Sequence, residues 1–145
     1  MKNLEDLIKE NEHINEKDMI LKLDIEKWEF EAILNLKEET LNQFKYIVIE
    51  YHFENRNKDD KLYYNVLKKL SKTQQAFYLR CNGERWLKVN FGNNRICYIM
   101  EVSYIIKKDN IFQNDETVWP IYEFDYSKIE AGKLEMNLNI LKLIG

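Results

Sequence analysis

The chain has 145 residues, 45% of them hydrophobic and 13% aromatic, a composition typical of one globular domain and unlike a disordered tail or linker. Its net charge is −3, and its lysines and arginines are interleaved with acids. Nucleic acid and anionic membrane surfaces are therefore disfavoured as partners, because phosphate binding needs clustered excess cations.

The compartment is predicted from what the sequence lacks. The N-terminal residues contain no apolar stretch of signal-peptide length, and no later run is long enough to span a bilayer. Two cysteines, Cys81 and Cys97, have neither CxxC spacing nor a neighbouring histidine, which disfavours zinc. We therefore expect a soluble, cytoplasmic protein with two buried, reduced thiols.

The first predicted elements are a helix, a strand and a second helix. Asn3 can cap a short helix, Leu4–Glu10, and a polar linker follows. Residues 19–25 form a nearly continuous apolar run, which favours a strand inside a sheet covered by helices on both faces. Residues 27–36 carry a broad apolar stripe at helical spacing, which indicates a helix packed on that sheet.

A second strand and helix follow. Residues 44–53, FKYIVIEYHF, are rich in β-branched and aromatic residues, and Glu50 and His52 lie two positions apart, on one face of this strand. After a charged loop, Asp59 or Asp60 can cap a helix with apolar residues at helical spacing, Leu62, Val66, Leu67 and Leu70. The order strand, helix, strand, helix predicts parallel pairing through right-handed crossovers.

The pattern then changes to strands without helices between them. Residues 76–81 and 96–106 are predicted strands, and the turn signals Asn82-Gly83 and Gly92-Asn93-Asn94 lie between them. Such strands should be antiparallel neighbours. Trp119-Pro120 marks an irregular segment, and strict alternation predicts a C-terminal strand at 134–140. The sequence therefore predicts one α/β domain over residues 1–145.

An acidic corner follows the first strand. Asp24-Ile25-Glu26 places two carboxylates where the strand ends, and the carboxyl ends of strands are where open α/β sheets bind ligands. The simpler interpretation is that Glu26, Glu29 and Glu31 favour the positive end of the next helix. We prefer this interpretation for Glu29 and Glu31, and the ligand-binding one for Asp24.

Three segments of the chain resemble the FkbM-type methyltransferases. LEDLIKEN resembles that family's TLDDLI-like helix, MILKLDIEKWEFEAI its strand ending in KIDVEGxExxAL, and FKYIVIEYHF its strand ending in an LExH-like sequence. EVSYI at 101–105 and FDYSK from Phe124 are similar to the eukaryotic-type branch of this family. The chain departs from the pattern at Lys27, where the family usually has the glycine that permits a close backbone approach.

The resemblance implies methyl transfer from S-adenosylmethionine, often to an oxygen of a small molecule or sugar. It implies a partial Rossmann-like methyltransferase sheet: two parallel βα units, an antiparallel strand pair and a C-terminal strand, as in the C-terminal half of a class I methyltransferase. By the same resemblance, Asp24, Glu50 and His52 are the candidate catalytic residues, and Asp24 and Glu26 are the candidate cofactor-binding residues. Asp24 lies near methyl donor and acceptor, Glu26 braces the corner, and Glu50 and His52 line the neighbouring strand end. His52 is then the candidate general base, because an unperturbed imidazole titrates near neutral pH. Two alternatives stay open: a structural histidine, and a divalent metal held by Asp24, Glu50 and His52.

The glycine-rich turn of a Rossmann cofactor site is absent. The glycines are Gly83, Gly92, Gly132 and Gly145, and none opens a helix after an N-terminal strand. By family analogy the cofactor-binding half is therefore not encoded here, and we expect the chain to be inactive alone. The strand at 19–25 then has a bare edge, which predicts a homo-oligomer, a separately encoded N-terminal half as partner, or a truncated product of a longer gene. The alternatives are a non-catalytic binding or assembly module with this fold and an unrelated α+β domain.

Overall fold

The computed structural model describes residues 3–53, 60–82, 88–91 and 94–108. The helices are α1 (Leu4–Glu10), α2 (Glu29–Asn35), α3 (Glu38–Leu41) and α4 (Asp60–Leu70). The strands are β1 (Met19–Leu23), β2 (Phe44–His52), β3 (Gln74–Asn82), β4 (Lys88–Phe91), β5 (Asn94–Cys97) and β6 (Ile99–Ile106). The predicted irregular segment at 119–120, the FDYSK segment and the predicted strand at 134–140 lie outside the described residues.

The described strands form a mixed α/β fold around a four-stranded sheet. Their order in the sheet is β1-β2-β6-β3, and β4 and β5 form a separate two-stranded ladder. β1 and β2 are parallel, which confirms the pairing predicted from the order of strands and helices. β6 runs antiparallel to both β2 and β3, so the predicted antiparallel relationship of the later strands is also confirmed.

Two details of the later chain were not predicted. The strand predicted over 96–106 is interrupted at Tyr98 and forms β5 and β6. In the chain, β4 and β5 lie between β3 and β6, and they pair with each other. The short helix α3 was missed because only one of its four residues, Leu41, is buried. A segment with a single buried residue has no apolar periodicity to detect.

One face of the sheet forms the core. Leu21 and Leu23 of β1 lie beside Ile47 and Ile49 of β2 in the parallel register, and all four are buried. Helices α2 and α4 supply the other half of this core with side chains at helical spacing: Phe30, Ile33, Tyr63, Val66, Leu67 and Leu70. The apolar stripes predicted for these two helices therefore face the sheet, except that Trp28, at the start of the predicted stripe of α2, is 56% exposed.

The opposite face of β1 is not buried by any described residue, so the prediction that helices cover both faces is wrong within the described ranges. Ile20 is 70% exposed, and Lys22 forms an ion pair with Glu101 of β6, its Nζ lying 2.9 Å from the Oε2 atom. Alternate residues of a strand point to opposite faces. The apolar composition of the run did not reveal that Ile20 and Lys22 share the open face.

The start of α1 agrees with the capping residue predicted from the sequence. The Asp6 backbone N–H donates to Asn3 Oδ1 at 2.8 Å, which is the cap predicted for α1. At the end of α2, Lys69 Nζ donates to the carbonyls of Leu34 and Leu36, so α4 satisfies two backbone acceptors there. None of the helices in the described ranges has both the length and the apolarity of a membrane span.

The thiol prediction is wrong for Cys97. This residue, the last of β5, is disulfide-bonded rather than reduced. The prediction of reduced thiols rested on the cytoplasmic compartment expected for the chain, where thiols are kept reduced, and not on a contact of either cysteine.

Candidate active site

The parallel pairing of β1 and β2 brings their carboxyl ends to one edge of the sheet. Leu23, the last residue of β1, is in register with Ile49 of β2. Asp24 follows β1 directly, while Glu50 and His52 lie in the last three residues of β2. Asp24 is exposed, Glu50 is half-buried and His52 is buried. The predicted site residues of two separate sequence segments therefore meet at this edge.

Asp24, Glu50 and His52 form one cluster of donor atoms. One ligand atom from each residue lies within 4.8 Å of the other two. The His52 Nε2 atom lies 3.6 Å from Glu50 Oε1, too far for an ordinary hydrogen bond. We call these three residues the carboxylate–imidazole cluster.

Glu29 contacts His52 from the interior of the protein, and the sequence did not predict this contact. Its side chain is fully buried, and its Oε1 lies 2.7 Å from His52 Nδ1. The same oxygen accepts longer hydrogen bonds from the backbone N–H groups of Ile25 at 3.4 Å and Lys27 at 3.2 Å. Glu29 does lie in the first turn of α2, as the helix-dipole interpretation requires, but its contact is with the imidazole. The feature of the sequence that could have indicated this contact is the ExxA pattern after the corner, in which Glu29 is the glutamate.

The corner between β1 and α2 has an unusual backbone. Glu26 and Lys27 both have positive φ, 53° and 82°, and Trp28 N–H bonds to the carbonyl of Ile25. Two consecutive positive φ values in the middle of a four-residue turn are those of a type I′ turn, which favours glycine and asparagine. This explains why a glycine suits position 27. It also allows the Lys27 N–H to reach Glu29.

Glu26 is not part of the carboxylate–imidazole cluster. Its side chain is exposed on the turn, whereas Glu29, three residues later, reaches His52. The corner therefore places one acid at the surface and another in the interior. The bracing of the corner that the resemblance implies for Glu26 stays a prediction.

The contact of Glu29 with Nδ1 sets the chemistry of the imidazole. A carboxylate at 2.7 Å accepts a hydrogen bond from Nδ1–H, which favours the tautomer whose lone pair is on Nε2. Nε2 is the ring nitrogen that faces Glu50, within the carboxylate–imidazole cluster. A lone pair held in this way can accept a proton or bind a metal ion.

Tyr51, the residue before His52, lies under the site in the core. Its hydroxyl lies 2.9 Å from that of Tyr104 on β6. Burial, together with the neighbouring Tyr104 and Glu29, raises the pKa of Tyr51 well above its usual range. Burial also raises the pKa of Tyr104. Both phenols are therefore neutral at physiological pH and supply packing and one buried hydrogen bond.

A concavity also lies among the described residues, away from the carboxylate–imidazole cluster. Its volume is about 610 Å³, and its lining includes Asn15, Lys17, Gln43 and Lys107. Gln43 precedes β2, so this concavity lies toward the amino end of that strand. It contains none of the predicted site residues.

Comparison with known proteins adds one finding. The family model for the methyltransferase FkbM domain matches residues 1–82. This span contains α1, β1, α2, β2 and the four residues Asp24, Glu29, Glu50 and His52. No curated protein and no solved structure matches the chain significantly.

Proposed function

Because the chain belongs to the FkbM methyltransferase family, we propose that it takes part in the transfer of a methyl group from S-adenosylmethionine to an oxygen of a small molecule or sugar. The observation that carries this proposal is the hydrogen bond from His52 Nδ1 to the buried Glu29. It turns Nε2 toward two carboxylates at the sheet edge where open α/β folds bind ligands.

The chemistry of the cluster suits an acceptor hydroxyl. A hydroxyl oxygen that gains a methyl group must lose its proton, and His52 Nε2 is placed to accept it. Glu29 stabilises the imidazolium that results, because a buried carboxylate beside Nδ1 interacts more strongly with the charged ring. Asp24 and Glu50 can accept hydrogen bonds from further hydroxyl groups, as a sugar presents.

The residues of this edge fit only the reacting end of the cofactor. S-adenosylmethionine supplies a methyl carbon on a positively charged sulfur, and the exposed carboxylate of Asp24 is a suitable neighbour for that charge. The nucleoside and the methionine carboxylate need other groups, above all a glycine-rich turn. The described residues contain no such turn after a strand. We propose that these groups come from strands of a partner chain or of a further copy of this chain.

The outer edge of β1 is the place we propose for those strands. β1 is the first strand of the described sheet and pairs only with β2 there. Ile20 is 70% exposed and Ile25 is 41% exposed, so apolar surface is uncovered along the strand and after it. An open edge with apolar side chains favours the addition of another strand. The sheet would then continue as in a class I methyltransferase, with the second half supplied by a partner chain or a further copy.

A complementation experiment tests the proposed function. The gene is deleted in the producing organism, cells are fed with methyl-labelled methionine, and the O-methylated small molecules are compared with the wild type. We expect one labelled product to disappear and to return with the wild-type chain. His52→Gln, which keeps a polar side chain but cannot accept the proton, should not restore the product. Glu12→Gln, an exposed acid in the turn after α1, is the matched control and should restore it.

Two results would overturn the proposal. One is full restoration by His52→Gln at normal protein level, which would remove the imidazole from the reaction. The other is an unchanged set of O-methylated products after deletion, which would favour a non-catalytic module. A calorimetric titration of the purified chain with S-adenosylmethionine then tests the cofactor separately, and saturable binding by a chain that light scattering shows to be monomeric would contradict the need for further strands.

A further inference from the structure

The geometry of the carboxylate–imidazole cluster points to a binding site for a divalent metal ion, and we propose that Asp24, Glu50 and His52 bind one. Each residue offers one donor atom, and these three atoms lie within 4.8 Å of one another. Two carboxylates and one imidazole are a set of oxygen and nitrogen donors that Mn²⁺ and Zn²⁺ both accept.

The distances inside the cluster are those of ligands around one ion. Metal–ligand bonds of about 2.0–2.2 Å place two ligand atoms of one ion about 3–3.5 Å apart. His52 Nε2 and Glu50 Oε1 are 3.6 Å apart, which is longer than a hydrogen bond and close to this range. Asp24 is exposed and follows the end of β1, so its side chain has room to move its carboxylate oxygen closer to the donor atoms of Glu50 and His52.

Glu29 supplies an independent observation, because it orients the imidazole from outside the cluster. A histidine that binds a metal through one nitrogen usually donates its other N–H to a carboxylate, which fixes the tautomer and the ring. His52 makes this contact, and Glu29 is wholly buried. The second oxygen of Glu29, Oε2, is also buried and has no hydrogen-bond partner among the described residues. A cation nearby would offset the buried negative charge.

The exposure of the cluster predicts an open, exchangeable site. His52 is buried, Glu50 is partly covered and Asp24 faces solvent. Three protein ligands leave coordination positions for water or for an acceptor hydroxyl, as in catalytic rather than structural metal sites. A bound ion would occupy the Nε2 lone pair. The ion would then polarise the acceptor hydroxyl, and the proton that this hydroxyl loses would pass to solvent water rather than to His52.

The test is a titration of the purified full chain with Mn²⁺ after removal of metals by a chelator. Electron paramagnetic resonance measures the free ion, whose sharp spectrum is lost on binding. We expect one site for each chain, and displacement of Mn²⁺ by Zn²⁺ but not by equal amounts of Mg²⁺, because Mg²⁺ prefers oxygen ligands throughout. Neither cofactor nor methyl acceptor is present, so the result is independent of methyl transfer.

Variants assign the site. Asp24→Asn and Glu50→Gln should each weaken Mn²⁺ binding by about tenfold or more, and Glu29→Gln by about 10–100-fold through the orientation of the imidazole. Glu12→Gln removes one negative charge outside the cluster and should change the affinity by less than about threefold, since distant surface charges are screened by salt.

Two results would overturn the inference: no binding by the wild-type chain at millimolar Mn²⁺, and equal binding by Asp24→Asn and the wild type. Asp24 is exposed, so we expect its substitution to leave the fold unchanged, and equal melting temperatures of the variant and the wild type check this. If binding is found while the complementation experiment fails, the site is a metal site without methyl transfer.

Discussion

Glu29 Oε1 lies 2.7 Å from His52 Nδ1, so a buried acid in the first turn of α2 holds the imidazole at the end of β2. Glu29 belongs to α2, the helix that follows β1, and His52 is the last residue of β2. The bond therefore links the helix to the strand as well as orienting a ring. Because it is buried, its loss affects both stability and any chemistry at Nε2.

The first prediction concerns the stability supplied by this bond. Glu29→Ala should lower the free energy of unfolding by about 2–4 kcal/mol, because it leaves His52 Nδ1 and the N–H groups of Ile25 and Lys27 without their acceptor. Urea denaturation followed by circular dichroism measures the change. Glu39→Ala, at an exposed position in α3, should cost less than about 0.5 kcal/mol. Equal losses in the two variants would contradict the role given to Glu29.

A second prediction follows from the corner. Lys27 has a φ of 82°, in the left-handed region where a side chain with a Cβ is strained. Lys27→Gly should therefore raise the free energy of unfolding by about 1 kcal/mol, despite the greater freedom of glycine in the unfolded chain. Lys17→Gly is the control, because Lys17 is exposed and has no positive φ, and it should not raise stability. Thermal unfolding compares the two, and a destabilised Lys27→Gly variant would refute the argument.

The proximity of Asp24, Glu50 and His52 can be predicted from the sequence. Apolar runs placed β1 and β2, a helix between them required parallel pairing, and parallel strands share one carboxyl-end edge. Polar residues at the ends of both runs therefore had to be neighbours. The two strands carry this information locally, in their composition and order.

The contact of Glu29 could not be obtained in the same way. Its direction depends on the positive φ values of Glu26 and Lys27, and neither residue type signals such a turn. A glycine at 27 would have indicated it. The exposure of Ile20 was hidden for a different reason: burial of one face depends on what covers the sheet, which the strand's own residues do not encode.

A third prediction concerns pH and the docking of α1. Glu5 Oε1 accepts the backbone N–H of Lys37 at 2.7 Å and the hydroxyl of Thr40 at 3.2 Å. The hydrogen bond from the Lys37 backbone, with the charge of its side chain, holds the pKa of Glu5 below its usual range. A carboxyl with a lowered folded-state pKa stabilises the protein above its unfolded pKa, and this contribution disappears as the pH falls through the folded value.

Glu5→Gln should therefore remove part of the acid-induced loss of stability. At neutral pH we expect it to lower the free energy of unfolding by about 1 kcal/mol, because a charged acceptor is replaced by a neutral one. The difference from the wild type should shrink as the pH falls. Melting temperatures recorded from neutral to acidic pH test this, and a difference that does not change with pH would argue against the assigned contact. Glu39→Gln serves as the exposed control.

The last prediction concerns the hydroxyl pair of Tyr51 and Tyr104, 2.9 Å apart in the core. Tyr51→Phe leaves the Tyr104 hydroxyl buried without this partner, and Tyr104→Phe does the same to Tyr51, so each should cost about 1–3 kcal/mol of unfolding free energy. The double variant removes both polar groups and keeps both rings, so it should be less destabilised than the sum of the single variants. A double-mutant cycle by urea denaturation measures this coupling. Strictly additive losses would mean that the two hydroxyls do not depend on each other, and that the two neutral phenols are held by packing alone.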